Sequence, residues 1–462
     1  MNDAVVDVVV IGGGIAGLAA AYELQLRGLN VRLLEASSRL GGVIRTECVD
    51  GWVIDGGPDA LLVQKPAAVE LCRELGLGDR LVSTRIPRTA YVLRDGRLRP
   101  LVEGSFLGFP VGARALARSS LFSWPGKLRM ACEVVMPRAH GGDESIASFI
   151  RRRFGGEALD YLAEPLLAGI HAGDAERLSI QALFPRLADA ERRTGSVLRS
   201  LRALRVRPSP QGAFLSLPGG LGELVDTLSI ALRPDTARLA TAVTELHRAE
   251  VFRVESRDAS LRTRAVILSV PAYAAAGLLR GIDATLAGFC DAVPYASTAT
   301  VAVGYRRDQV RHPLAGTGFV VPRLERNPLL AATWVSSKWP GRAPDGHVLL
   351  RGFLGGGRDP HRLDQTDGEL IRAAKDALTD ALGIQGDPVV TRLARFPRQS
   401  PQYEVGHLQR VASIEERLAS MPGLFLAGSG FRAIGIPDCV ADARDTAARA
   451  AAFVATTNPR TI

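Results

Sequence analysis

The chain has 462 residues, 47% hydrophobic and 23% charged, with a formal net charge of +9. That length suits two or three interleaved lobes rather than one small core, and the composition is that of a globular protein. No stretch of eighteen uncharged apolar residues occurs, which argues against a transmembrane helix. Aromatic residues make up only 6% and no dense basic run is interleaved with them, which argues against a nucleic-acid platform. The positive charge is nearly all arginine; Lys65, Lys127, Lys338 and Lys375 are the only lysines. Genomic base composition explains that bias, and so does attraction to an acidic ligand or an anionic membrane surface. Cys48, Cys72, Cys132, Cys290 and Cys439 form no C-x-x-C, so neither a redox dithiol nor a zinc ribbon is encoded. Free thiols in a reducing cytoplasm are the expectation, and the acidic start (Asp3, Asp7) reads as neither a signal nor a transit peptide.

Val5 to Ile11 is an apolar, β-branched run typical of a buried parallel strand. Gly12, Gly14 and Gly17 follow as G-x-G-x-x-G, and Ile15 to Arg27 reads as a helix stopped by Gly28. In that pattern the first glycine permits a tight turn, the second lets the backbone approach a pyrophosphate, and the third lets helix pack on strand. A second strand, Val31 to Leu34, delivers Glu35, an acid suited to ribose hydroxyls and not to a 2′-phosphate. Arg39-Leu40-Gly41-Gly42 then adds a second glycine turn beside the first. From here the sequence resembles the amine-oxidase-like FAD flavoproteins, which share E-A-x-x-R-x-G-G in this register. FAD is the cofactor this implies.

Farther along, Asp55-Gly56-Gly57-Pro58-Asp59 is a turn whose glycines let main chain approach a ring. Residues 73–205 read as mostly helical. Ile146, Phe149, Ile150, Phe154 and Leu159 mark one apolar face, with Arg151, Arg152 and Arg153 assigned to the polar side. Such a helix either packs on its own domain or lies on a membrane. Phe106, Leu107, Phe109, Leu121, Phe122 and Trp124, near Arg114 and Arg118, form a looser apolar cluster suited to peripheral attachment. A second piece of the cofactor lobe begins near Ala213, with a helix through Leu224, Val225 and Leu228 and an antiparallel meander from Ala242 to Glu255. Ala265 to Val270 is a buried strand. In the 276–415 lobe, Ala299 to Tyr305 and Val348 to Phe353 read as strands and Gly368 to Leu382 as a helix, one wall of a cavity. The tail supplies a strand (Leu424 to Ala427), a Gly428-Ser429-Gly430 turn and a small-residue helix, Ala441 to Ala451. The predicted fold is α/β: a discontinuous Rossmann-type FAD-binding domain (1–72, 213–275, 416–462), a helical subdomain (73–205) and an inserted mixed-sheet substrate domain (276–415).

The tail Gly428-Ser429-Gly430-Phe431-Arg432-Ala433-Ile434-Gly435-Ile436-Pro437-Asp438-Cys439 resembles the terminal flavin segment of the protoporphyrinogen and coproporphyrinogen oxidase family. Four other stretches agree in order: Asp55 to Pro58 with Lys65-Pro66, Leu167 to Asp174 with Leu178-Ser179, Ser337 to Pro340, and Pro401 to Tyr403 with Gly406-His407. The resemblance implies FAD-dependent dehydrogenation of a porphyrinogen in heme biosynthesis, with O2 as acceptor and H2O2 released. It implies cofactor contacts from Gly12, Gly13, Gly14, Ile15, Ala16, Gly17, Glu35, Ala36, Arg39, Gly42, Val43, Gly57, Pro58, Asp59, Ala60, Val243, Gly428, Ile434, Gly435 and Ile436. Ala168 and Gly169 match a position at the substrate face, and Lys65, Arg88 and Lys338 are candidate propionate anchors. No catalytic residue is assigned beyond Lys338 as a candidate; His171 and His407 are candidate proton acceptors. Asp59 departs from the basic residue of some eukaryotic members. The tail and Lys-Pro blocks resemble the bacterial branch that takes coproporphyrinogen III, with protoporphyrinogen IX as the alternative. An amine oxidase, a carotenoid-type desaturase and a non-catalytic escort-type binding protein remain as other readings. A cytoplasmic site, with contact to the inner membrane face and to a ferrochelatase, completes the expectation; no nucleic acid or metal is called for.

Overall fold

The computed structural model describes residues 5–101, 112–138, 141–203, 212–257 and 259–457. The elements that frame the site begin with β1 (Val6–Ile11), α1 (Ile15–Leu26), β2 (Val31–Leu34), β3 (Ala90–Arg94), α2 (Glu164–His171), α3 (Gly222–Ala231) and β4 (Ser260–Leu268). They continue with β5 (Tyr295–Arg306), β6 (Gly318–Val320), β7 (Leu329–Trp334), β8 (His347–Gly355), α4 (Asp367–Leu382), β9 (Val390–Pro401), β10 (Leu424–Leu426) and α5 (Ile436–Thr456).

The first sheet runs parallel through β2, β1, β4 and β10, with Val8↔Ala265 and Ile11↔Leu268 in register. Both faces of β1 are covered: Val8 and Val10 join the core under α1, α3 and α5, whereas Val9 and Ile11 join the core on the other side. That is why the strand reads as an unbroken apolar run. β4 starts at Ser260, earlier than its apolar half, because its first residues pair antiparallel with Phe252–Ser256 as the third strand of the meander. α5 also starts earlier than expected, at Ile436. Pro437 is preorganised for a first helical turn, Asp438 accepts the Gly435 N–H at 3.3 Å, and buried Val440, Ala443, Ala447, Ala450 and Val454 extend its apolar stripe.

The second sheet has the order β9-β5-β8-β7-β6-β3, closed by Arg97–Pro100. One face is apolar: Ala299, Val301, Val303, Leu350 and Leu354 pack on Leu370, Ala374 and Leu378 of α4, a helix opened by a Thr366–Glu369 capping box. The other face turns toward the Asp55–Asp59 turn and carries Thr300, Arg351, Phe353, Ala394 and Phe396. The hairpin β3 to Pro100 lies within the stretch read as mostly helical, yet β3 pairs parallel with β6. Buried Val92 and Leu93, pointing to opposite faces, make it a two-sided strand of this second sheet.

In the helical lobe, Ile146, Phe149, Ile150 and Phe154 pack into their own core rather than forming a free face. Arg153 departs from its assignment to the polar side: it is fully buried, its guanidinium paired with Glu133 and donating to the Met136 and Gly195 carbonyls. Leu121 and Phe122 are core residues too, whereas Trp124 is 73% exposed; Phe106, Leu107 and Phe109 lie outside the described residues. No helix among the described residues is long and apolar enough to cross a membrane.

Candidate functional site

The first glycine turn connects β1 to α1. A Cβ on Gly17 would lie 1.8 Å from the Gly12 carbonyl oxygen, so only glycine permits this helix-on-strand approach. Gly14, by contrast, has open space on its Cβ side, at the N-cap of a helix with no capping side chain and no acid in its first turn. The positive end of α1, through Ile15 and Ala16, therefore faces an open cradle. Glu35, at the end of β2, is held over its rim: its carboxylate accepts the Gly13 N–H at 2.6 Å and the Ser37 N–H at 2.8 Å. Ala240 and Thr241 donate to the Ser37 and Glu35 carbonyls, which brings the segment leading to Val243 to the same rim, beside exposed Ala36.

The second glycine turn lies against the first, with Gly41 N–H donating to the Gly13 carbonyl at 2.8 Å. Gly42 is so near that a Cβ there would come within 3.2 Å of Gly14 Cα. Arg39 donates to the Leu40 and Ile44 carbonyls at 3.0 Å and also to Gly42, so its guanidinium shapes this turn. From the tail, Gly428 abuts Ala16 of α1, and its N–H donates to Asp442 at 2.7 Å. Two glycine turns, a helix N-terminus and a carboxylate are a donor set suited to the pyrophosphate and ribose of FAD.

A buried charge cluster fixes the Asp55–Asp59 turn. A Gly57 Cβ would lie 1.9 Å from the Val43 carbonyl oxygen, so this turn packs main chain on main chain. Arg351 donates to the Asp55 and Gly57 carbonyls at 2.5 and 2.8 Å, and Thr300 donates to the Gly56 carbonyl at 2.7 Å. Phe396 and Ala394 lie against Gly57 and Gly56, and Phe353 lies beneath the Arg351 guanidinium. The Asp59 carboxylate accepts Lys338 Nζ at 3.1 Å and Trp339 Nε1 at 3.0 Å, with Arg351 Nη2 3.4 Å away. Burial opposes its ionisation, but Lys338, Arg351 and these hydrogen bonds outweigh burial and hold it well below the usual carboxylate range. Asp55 accepts from Thr46 at 2.5 Å and from the Leu221 N–H at 3.1 Å, and lies 3.0 Å from Arg342. That last approach is an ion pair angled too poorly for a hydrogen bond, and burial leaves the Asp55 pKa raised.

The substrate-side candidates fall in different surroundings. Lys338 is mostly covered, with its ammonium turned onto Asp59, and so serves as an internal counter-ion. Lys65 pairs with Asp438 of α5 at 2.7 Å, next to Ile434–Ile436. Arg88 donates to the Thr84 carbonyl at 3.2 Å. Gly169 of α2 faces the second sheet, where a Cβ would stand 3.3 Å from both Val320 and Ala331, and Ala168 is buried. His407 is structural: fully buried, stacked at 3.7 Å on Tyr403, with Nε2 2.9 Å from the Phe431 carbonyl. Tyr403 in turn donates to the Ser429 carbonyl at 2.9 Å, so this pair buttresses the tail turn. Arg351, Arg342 and Thr300 were not anticipated. Arg351 carried a visible signal, a lone charge inside the apolar strand β8.

Residues 15–451 match the family of flavin containing amine oxidoreductases. The chain is 35% identical to the coproporphyrinogen III oxidase of Bacillus subtilis (strain 168), across 95% of this chain and 97% of that one. It is 33% identical to the coproporphyrinogen III oxidase of Propionibacterium freudenreichii subsp. freudenreichii, across 95% and 89%. A solved structure assigned to protoporphyrinogen oxidase, from Exiguobacterium sp. 255-15, superposes with a TM-score of 0.86 at 32% identity, covering 97% of this chain and 99% of that one. With an FAD cradle intact and a likeness that spans nearly every residue, the chain belongs to the flavin containing amine oxidoreductases, on their porphyrinogen oxidase branch.

Proposed function

We propose that this protein oxidises coproporphyrinogen III to coproporphyrin III in heme biosynthesis, with O2 as the final acceptor and H2O2 as co-product. The observation that carries the reading is the 35% identity with a coproporphyrinogen III oxidase over 95% of the chain, combined with an intact cradle. Bound FAD supplies a two-electron acceptor, and the protein supplies position, electrostatics and exclusion of water. Gly12–Gly17 hold the pyrophosphate, Glu35 and Ala36 the ribose, and Val243 the adenine. Gly42, Val43, Gly57–Ala60, Gly428 and Ile434–Ile436 line the flavin. Arg39 and the Lys338–Asp59–Arg351 cluster keep those turns in place. Lys65, at the rim beside Asp438, and Arg88, beside Thr84, are the candidate cations for propionates, and four propionates suit a chain of net charge +9 better than two. Residues 1–72, 213–275 and 416–462 form the FAD unit, and 276–415 the substrate unit, joined by the hairpin at 90–100.

The protein acts in the cytoplasm and touches the inner membrane face through the helical lobe. Trp124 and Leu128, one turn apart, are 73% and 68% exposed, with Lys127 over the Trp124 ring and Arg114 and Arg118 exposed on the preceding helix. From there product passes to a ferrochelatase. The test is anaerobic flavin reduction and aerobic turnover with coproporphyrinogen III and protoporphyrinogen IX in parallel, following porphyrin fluorescence and peroxide. Faster turnover of the tetrapropionate is expected. Preference for the dipropionate, the reading favoured by the Exiguobacterium relative, moves the activity to protoporphyrinogen. Flavin that neither reduces refutes both, and a colourless protein that cannot be reconstituted with FAD makes it a binding protein.

A further inference from the structure

Seven histidines occur in the chain, and six lie among the described residues. Five of the six have a ring partner. His247 pairs with Glu245, His312 accepts the Leu314 N–H, His347 meets the Asp345 carbonyl, His361 meets Asp364, and His407 meets the Phe431 carbonyl. His171 alone makes no ring hydrogen bond to a described residue, and its Nδ1 is buried. A buried ring nitrogen without a partner forgoes the hydrogen bond that water would give it, which calls for a reason.

Its position is fixed by everything except that ring. His171 ends α2, and Ala172 after it adopts a left-handed conformation (φ 51°) that stops the helix. Ser400 and Gln402 of β9 and its following loop donate to the His171 carbonyl at 3.0 and 3.2 Å, pinning the main chain. Phe184 meets the ring edge-on at 6.0 Å. The charged groups that bear on it are Lys65 and Asp438, themselves paired across the gap between Lys65-Pro66 and the first turn of α5. The ring thus stands beside the turn that carries Ile434–Ile436, with α2 on one side and the Lys65–Asp438 pair on the other.

We propose that His171 is the proton acceptor of the porphyrinogen oxidation, a role that rests on the function proposed above. Conversion to the porphyrin removes four bridging C–H and two pyrrole N–H hydrogens in three two-electron steps. Each step passes one hydride from a bridging carbon to the flavin as oxidant and one proton to the imidazole. Two of those protons leave pyrrole nitrogens, which keep the electron pair to form C=N bonds, and the third leaves a bridging carbon by tautomerisation. Between turnovers the imidazolium releases that proton to solvent. Burial, and then the Lys65 charge, push the His171 pKa down to about 4, so the ring is neutral and able to accept at neutral pH. A carboxylate neighbour alone would have biased it toward the charged form, in which it accepts nothing.

The test compares FAD-loaded wild type with His171→Gln and His171→Ala in anaerobic stopped-flow reduction by coproporphyrinogen III. Product affinity is measured separately by titration with fluorescent coproporphyrin III. Positioned general bases contribute roughly a hundredfold or more. Both variants are expected to reduce their flavin about a hundredfold more slowly while binding product as wild type does. Added imidazole should restore the Ala variant, whose side chain leaves room for it, and not the Gln variant. Variants as fast as wild type, or slowed with product affinity lost and no rescue by imidazole, overturn the role of His171. Wild-type flavin left oxidised by the porphyrinogen refutes the function itself, and the His171 role with it.

Discussion

Asp59 joins the turn after Asp55 to the second sheet, and its removal can be worked through group by group. Asp59→Asn keeps shape and volume but deletes the charge that Lys338 Nζ (3.1 Å) and Arg351 Nη2 (3.4 Å) share. Two cations, with side chains 13% and 3% exposed, then face each other across a neutral amide. Breaking a buried pair from one side costs about 3–5 kcal/mol because the partner stays buried and uncompensated. Lys338→Met is milder, about 1–2 kcal/mol, since Asp59 keeps Arg351 and the Trp339 indole N–H at 3.0 Å. The double variant removes one charge of each sign and should be less destabilised than the sum, with a coupling of about 1–3 kcal/mol. Urea unfolding of the four FAD-loaded proteins at neutral pH measures the cycle, and flavin absorbance reports whether the Asp55–Asp59 turn still holds its ligand. The carboxyl is held below its ordinary pKa of 3.8, so its contribution is complete above that value and is lost as pH falls through the folded pKa. Single-variant costs that add to within about 0.5 kcal/mol, or an Asp59→Asn protein as stable as wild type, would refute the reasoning.

Gly17→Ala places a Cβ 1.8 Å from the Gly12 carbonyl oxygen, and the purified variant should lack yellow colour. Glu35→Gln keeps the fold, by circular dichroism, but should bind FAD roughly tenfold more weakly, as expected for one lost charge-assisted hydrogen bond. Burial lowers the His407 pKa from 6.5 to about 4, so below pH 6.5 the unfolded chain binds more protons than the folded one. Stability should therefore fall by about 3 kcal/mol as pH drops from 6.5 toward 4, and His407→Phe should flatten that slope in thermal melts. Trp124→Ser with Leu128→Ser should abolish co-sedimentation with anionic vesicles without changing flavin content; binding that persists would remove the helical lobe as the contact.

The parts of the fold that were legible in sequence are those whose cause is local. β1 read correctly because both of its faces are buried, and the glycines of the first turn because helix and strand crowd one point. What escaped depends on partners remote in sequence. Arg153 looks like the third arginine of a solvated face until Glu133 and the Gly195 carbonyl arrive around it. The β3 hairpin is too short to reveal that its neighbour will be β6, far along the chain. Lysine is so rare here that Lys338 stood out, but its partner, 279 residues away, gave no sign that this lysine would be internal. Gly169 marks close packing of α2 on Val320 and Ala331, a constraint that periodicity does not carry.

A seam between two sheets need not be charged. Hydrophobic replacement of a buried ion pair is often neutral or stabilising, so Asp55–Arg342 cannot be explained by stability alone. What the pair does have is direction. Asp55 takes hydrogen bonds from Thr46 and from the N–H of Leu221, and Arg342 donates to Ser216 and to the Leu217 carbonyl. Three stretches distant in sequence, around Thr46–Asp55, Ser216–Leu221 and Arg342, are thereby held in one register. Apolar side chains would fill the space without specifying that alignment. The double variant Asp55→Leu with Arg342→Met should accordingly melt within a few degrees of wild type yet retain less FAD. Asp55→Leu alone, which leaves the arginine buried and unpaired, should lose about 3–5 kcal/mol. A double variant that melts normally and keeps a full complement of FAD would show that packing alone sets the register, and that the charges at this seam are dispensable.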